Sequence, residues 1–223
     1  MFLNFTIEGD ELDRRMGGGL YVGQIVTIIG GNGEGKTLLS LRLSYGVMKH
    51  GTEIAYISTQ FPIREFVSEA EALGYSLFNP ILSGQISYIT TVFLLRKSRR
   101  STVDEMLNND GIKEKQMVVI DSFKKDIFRD FDIADFFSKL RKFSEGRVVI
   151  LTVNPQDFTN EELTIIKQLS TTIINLTSRD LAGERKHTID LMKYPMAMKS
   201  FQQAIPFRIE PGRGLIVEIS SVS

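Results

Sequence analysis

The octapeptide Gly30-Gly31-Asn32-Gly33-Glu34-Gly35-Lys36-Thr37 has the spacing G-x-x-x-x-G-K-[ST], which is the spacing of a loop that cradles phosphate. Each residue type has a physical task there. Glycines let backbone N–H groups approach phosphate oxygens with no Cβ in the way. The helix that follows contributes its positive amino-terminal end. Lys36 has the reach for β- and γ-phosphates, and the Thr37 hydroxyl is a ligand for Mg2+. A glycine turn that merely precedes a helix would satisfy the letters. This one also stands between an apolar strand and a helix with a broad apolar surface, the context the chemistry requires. A second run, Met117-Val118-Val119-Ile120-Asp121, is an apolar strand that ends in a carboxylate. An aspartate there more often caps a helix or a turn. Beside a phosphate loop it becomes the second holder of Mg2+. The predicted nucleotide contacts are Asn32, Gly33, Glu34, Gly35, Lys36, Thr37 and Leu38, with Thr37 and Asp121 at the metal.

Other candidates carry less. Arg96-Lys97-Ser98-Arg99-Arg100 is a concentrated basic patch, read either as a solvated loop or as a contact for a partner. Phe93, Leu94 and Leu95 beside it read equally as core or as a docking edge. Asp126, Asp130, Asp132 and Asp135 lack the spacing of a calcium loop, and capping of a helix near Ile133 explains them better. Thr152 and Asn154 end an apolar strand, where they either sense the γ-phosphate or have no special role. Two histidines, His50 at a helix end and His187 in a strand, are too few and too far apart for a ligand cluster. With no cysteine there is no thiolate nucleophile and no disulfide framework.

The elements that must position these groups alternate along the chain. Gln24–Ile29 reads as a strand, Thr37–Lys49 as a helix ended by Gly51, and Glu53–Ser58 as the next strand. Pro62–Leu73 recovers a helical period, with Gly74 as its C-cap. Ile86–Thr91 and Met117–Ile120 are strand-like, Ile133–Phe143 is amphipathic, Arg147–Val153 is a buried strand and Glu161–Leu169 a helix. From Ile173 the pattern turns to β, through Ile173–Leu176, Thr188–Lys193, Ile205–Ile209 and Leu215–Ile219. Apolar strands alternating with amphipathic helices predict βαβ units around a parallel sheet buried on both faces. The 223 residues are 42% hydrophobic, enough for one sizeable core, and are expected to form one domain, Met1–Ser223. Twenty-seven basic residues balance 27 acidic ones, which argues against a grip on nucleic acid by bulk charge. No apolar run approaches the 18 or so residues that cross a bilayer, so the expected location is the cytoplasm.

Taken together, Leu12-Asp13, Gly17-Gly18-Gly19-Leu20, the phosphate loop, Ala55-Tyr56-Ile57-Ser58 and Leu73-Gly74-Tyr75 follow an order that resembles RecA-type ATPases of the KaiC branch. The stretch Arg185 to Lys193, then Pro206-Phe207-Arg208-Ile209 and Gly214-Leu215-Ile216-Val217, continues the resemblance over nearly the whole chain. It implies an α/β, RecA-like P-loop fold with a mainly parallel central sheet and C-terminal β-strands. It also implies ATP with Mg2+ and a ring, a hexamer, with nucleotide between subunits. Glu210 and Pro211 fall where the family wraps the adenine. Among single-domain KaiC-like proteins the chain most resembles those of the archaeal motility motor. That implies the hexameric motor ATPase and the membrane platform of the archaellum as partners, and contact with the membrane only through them.

Two departures from the active pattern stand out. Gln60 and Phe61 occupy the positions where the family has water-activating glutamates. A neutral amide orients water but does not take its proton, and a placed base is worth roughly 10²–10⁴ in rate. The family also supplies a Lys-x-Arg pair from the neighbouring subunit. Lys193-Tyr194-Pro195 keeps the lysine, a further nucleotide contact, and loses the arginine. An arginine finger supplies on the order of 10³–10⁵ in related chemistry. Nothing in the sequence places Lys199 as its substitute. The expected protein binds ATP, hydrolyses it weakly or not at all, and regulates assembly. The alternatives are an active ATPase of the same type and, further off, a recombinase-like protein that coats DNA.

Overall fold

Aliphatic and β-branched residues are concentrated in short runs, and these runs form the centre of the molecule. The computed structural model describes residues 1–90, 102–128, 131–181 and 183–218. A short ribbon, β1 (Phe2–Leu3) paired antiparallel with β2 (Leu20–Tyr21), encloses α1 (Leu12–Arg15). Then come β3 (Ile25–Ile29), α2 (Lys36–Lys49), β4 (Ile54–Ser58), α3 (Ile63–Ala72), α4 (Phe78–Leu82) and β5 (Ile86–Thr90). Two short helices, α5 (Val103–Leu107) and α6 (Asp110–Lys113), precede β6 (Met117–Asp121), α7 (Ile133–Phe143), β7 (Val148–Val153) and α8 (Asn160–Leu169). The chain closes with β8 (Thr172–Leu181), β9 (Glu184–Lys193), β10 (Ala204–Glu210) and β11 (Gly214–Val217).

Nine of these strands form one sheet in the order β11-β10-β9-β8-β3-β7-β6-β4-β5. The six from β8 to β5 are parallel, and β9, β10 and β11 extend the sheet antiparallel. The tail expected to extend or cap the sheet therefore extends it. Every residue of β3, β4, β6 and β7 is buried, yet alternation still sorts the side chains. Val26, Ile28, Ile54, Tyr56, Val119 and Ile150 meet the core under α1, α2 and α3. Ile25, Ala55, Ile57, Val118, Val149 and Leu151 meet the core under α5 to α8. In the second core, Phe136 stacks on Phe123 at 4.8 Å between ring centres, and Leu140 beside it is fully buried. Truncating such a leucine to alanine costs about 2–5 kcal/mol.

Two of the four described helices of ten or more residues, α7 and α8, are capped by their own side chains. Asp132 accepts from the Asp135 N–H to start α7, as its place in the sequence suggested, while Asp135 pairs with Lys139. Thr159 and Glu162 form a reciprocal capping box on α8. Asp130 lies outside the described residues, as do Phe93, Leu94, Leu95 and the basic run Arg96–Arg100. Helix α3 starts after Pro62 without a side-chain cap, and helix α2 lacks one as well. Helix α2 begins at Gly35, at φ +93°, with no acidic residue in its first turn. Its first N–H groups are left for another acceptor.

One long-range clasp shapes the neighbourhood. The Tyr75 hydroxyl, just after α3, accepts from the N–H of Leu215 in β11 at 3.0 Å. Gly214, at φ +71°, leaves room for that hydroxyl, which would lie 2.1 Å from any Cβ there.

Candidate nucleotide site

Register brings the chemistry to one edge of the sheet. Ser58 pairs with Asp121, Ile120 with Leu151, and Ile28 with Thr152. The carboxyl ends of β4, β6, β7 and β3 are thus level, and the phosphate loop leaves β3 at that edge, where ligands of open α/β sheets bind. A cleft of about 820 Å3 opens there. Gly33, Gly35, Lys36 and Thr37 line it together with the apolar Leu38, Leu41, Leu73 and Ile209.

The loop is held from within. Lys36 donates through Nζ to the Gly31 carbonyl at 2.7 Å, and the Glu34 carboxylate accepts from the Gly31 N–H. Burial lowers the Lys36 ammonium from its usual value, opposed by the charges of Asp121, Glu34 and Asp157. Asn154 at the end of β7 donates to the Asn32 side chain at 3.0 Å and ties the loop to that strand. Gly35 packs on the edge of the Phe207 ring, 3.3 Å from where a Cβ would sit.

Asp121 is fully buried and its two oxygens are both engaged. Thr37 donates to one at 3.0 Å and Thr152 to the other at 2.7 Å. Thr152 in turn accepts from the Ser122 N–H at 2.6 Å. Burial pushes the Asp121 carboxyl above the usual carboxylate range, and the hydrogen bonds from Thr152 and Thr37 pull the other way. The Thr37 hydroxyl and the Asp121 carboxylate are hard oxygen donors side by side at the start of α2, a set suited to Mg2+. Among the described residues no group of three or more histidine, aspartate or glutamate side chains offers another metal site.

The end of β4 is built differently. The Ser58 hydroxyl accepts from the N–H groups of Gln60 and Phe61, at 3.2 and 3.0 Å, and folds the chain back. Gln60 is exposed and lines the cleft, and its amide oxygen accepts from the Ser122 hydroxyl at 3.0 Å. Ser122 sits at φ +55°, and its carbonyl accepts from the Thr59 hydroxyl. Tyr88 donates to the Phe61 carbonyl at 2.7 Å. A carboxylate from this turn is absent.

The structure separates the remaining predicted residues. Lys193 stands beside Ile173, at the sheet edge away from its own phosphate loop, and its Nζ donates to the carbonyls of Ser170 and Gln168 after α8. Lys199 is held by its N–H on the Gly17 carbonyl. Glu210 pairs with Arg208 and Arg213, and its neighbour Ile209 is the residue that lines the cleft. His50 ends α2 with its ring on the Thr6 carbonyl, and His187 stacks on Phe207. Sequence reasoning missed Glu69, Lys124 and Asp157, which also line the cleft. The i, i+4 spacing of Glu69 and Leu73 on α3 was the available signal for the first.

A family model for the KaiC ATPase matches residues 6–221. The archaeal flagellar ATP-binding protein FlaH of Methanocaldococcus jannaschii is 32% identical over 222 residues, 96% of this chain and 94% of that protein. The FlaH of Methanococcus voltae is 29% identical over 228 residues, all of this chain and 99% of that one. The crystal structure of flagellar accessory protein FlaH from M. jannaschii superposes with a TM-score of 0.91 at 29% identity, covering 99% of this chain and 100% of that chain. A KaiC-like protein from Pyrococcus horikoshii, 19% identical, has the same fold at a TM-score of 0.74 over 98% and 99% of the two chains.

Proposed function

The chain belongs to the KaiC ATPase family, among its FlaH members, and from that premise we propose that it is an ATP-binding component of the archaellum motor that uses ATP as a ligand more than as a fuel. One observation carries this reading. The groups that hold a nucleotide are complete and pre-set, while the turn after β4 offers an amide where a base is needed. Lys36, the open N–H groups of α2 and the loop glycines hold the phosphates. Thr37 and Asp121 hold Mg2+, which when bound neutralises phosphate charge. Gln60 orients water without taking its proton, and Pro195 leaves no arginine to offer a neighbour. ATP then biases assembly through its differential affinity for one state.

On the same reading the protein forms a ring, a hexamer, in the cytoplasm, and meets the motor ATPase and the membrane platform protein. No described helix is long and apolar enough to cross a membrane, which fits contact through those partners. The test is phosphate release set beside nucleotide retention and particle mass. Mg·ATP that is retained, promotes self-association and turns over far below ~1 s⁻¹ supports the reading. A second reading, an active ATPase, is favoured by the Asp157 carboxylate in the cleft. Turnover above ~1 s⁻¹ that falls in Asp157→Asn would establish it.

A further inference from the structure

The cleft is lined by polar and apolar side chains together, and Glu69 and Asp157 are the carboxylates among them. With phosphates at Lys36 and the start of α2, Leu38 and Leu41 of α2 are apolar lining left for the remainder of a nucleotide. Leu73 at the end of α3 and Ile209 in β10 add to that lining. Four apolar side chains from three elements suit a planar ring but do not tell one base from another. Glu69 lies one helical turn before Leu73 and so shares its face of α3.

We propose that Glu69 selects the base, its carboxylate accepting a hydrogen bond from the 6-amino group of adenine. This rests on the nucleotide reading above. An ionised carboxylate only accepts hydrogen bonds, so it favours a ring edge that presents an amine over one that presents a carbonyl oxygen. Other observations agree. The Glu69 carboxylate takes no hydrogen bond or ion pair among the described residues, whereas Glu71 on the same helix accepts from Ser76. Burial raises the Glu69 carboxyl above its ordinary value, and the charges of Asp121 and Glu65 add to that. Glu69 is exposed to the cleft, where a ligand can reach it, and finds no donor within the described residues.

The experiment is a calorimetric titration of wild type, Glu69→Ala and Glu69→Gln with Mg·ATP, Mg·ITP and Mg·2′-deoxy-ATP. Thermal melts confirm that each variant is folded. ITP replaces the 6-amino group by a carbonyl, and 2′-deoxy-ATP removes a ribose hydroxyl. A hydrogen bond to a charged partner predicts that wild type prefers ATP to ITP by roughly 10–100-fold. Glu69→Ala should erase most of that preference by weakening ATP alone, and Glu69→Gln, whose amide oxygen still accepts, should keep part of it. Equal wild-type affinity for ATP and ITP overturns the inference, as does a Glu69→Ala variant that loses both alike. A variant that weakens ATP but leaves 2′-deoxy-ATP untouched assigns the contact to the ribose and overturns it too. Wild type that binds none of the three overturns the nucleotide reading itself.

Discussion

The ends of β4 and β6 are neighbours in register, Ser58 opposite Asp121, yet they are finished in opposite ways. At β6 a buried carboxylate has both oxygens engaged by hydroxyls, one from the helix that follows the phosphate loop. Burial works against its charge, and the hydroxyls lessen that cost. At β4 a serine hydroxyl turns the backbone on itself and leaves an exposed glutamine at the cleft. The first arrangement suits holding a cation, and the second cannot accept a proton. On the proposed reading, binding and turnover would be carried by separate strand ends, so that one could be kept while the other is lost.

The hardest test of that contrast is Lys36→Ala, which removes the fixed cation at the phosphates. ATP affinity measured by calorimetry should fall by about 100-fold or more, since charge-assisted bonds are worth ~1.5–3 kcal/mol each. Unchanged affinity would break the comparison at its binding side. Next is Asp121→Asn, which should cut the Mg2+ dependence of ATP binding by about tenfold or more. It should also melt higher than wild type when no Mg2+ or ATP is present. Because burial raises the folded-state value of Asp121, its ionisation costs stability as pH rises from the ordinary carboxylate value through the raised one. The advantage of the asparagine variant should thus be full at neutral pH and vanish below the ordinary carboxylate range. Each kcal/mol would appear as ~2–4 °C in Tm.

On the turnover side, Gln60→Glu should raise steady-state phosphate release by roughly tenfold, a fraction of what a placed base supplies, because no arginine accompanies it. An increase to ~1 s⁻¹ or more would mean that the arginine is not missed. The smallest effect concerns Lys193. Lys193→Met should lose the two carbonyl contacts after α8 and cost about 1 kcal/mol, visible as a lowered Tm with ATP affinity per isolated chain unchanged.

Much of this was legible in the sequence because it is local. The glycines, Lys36 and Thr37 are contiguous, and Asp121 is announced by four apolar residues before it. The long helices and buried strands followed from period and capping residues such as Asp132. What escaped depends on packing between distant segments. Helices α1, α4, α5 and α6 have four or five residues each, too few to show a period. The choice of Ile209 over Glu210 at the cleft is a matter of strand register, where one step reverses the face. The bond between Asn154 and Asn32 joins residues 122 positions apart, and neither announces the other. The family resemblance makes Lys193 a contact for a neighbour's nucleotide, and its bonds to the carbonyls after α8 within its own chain are visible only once the strands are paired.

The Tyr75 clasp has a mechanical consequence. It fastens the turn after α3, beside Leu73, to β11, whose partner β10 carries Ile209. Leu73 and Ile209 both line the cleft, so the clasp links the segments that carry two of its walls. A hydrogen bond of this kind is worth about 1 kcal/mol, so it biases the spacing between Leu73 and Ile209 toward the one seen. On the proposed reading, a change on nucleotide uptake would then be expected first in the loops at the strand ends, around residues 31–35 and 59–61, with the tied walls following.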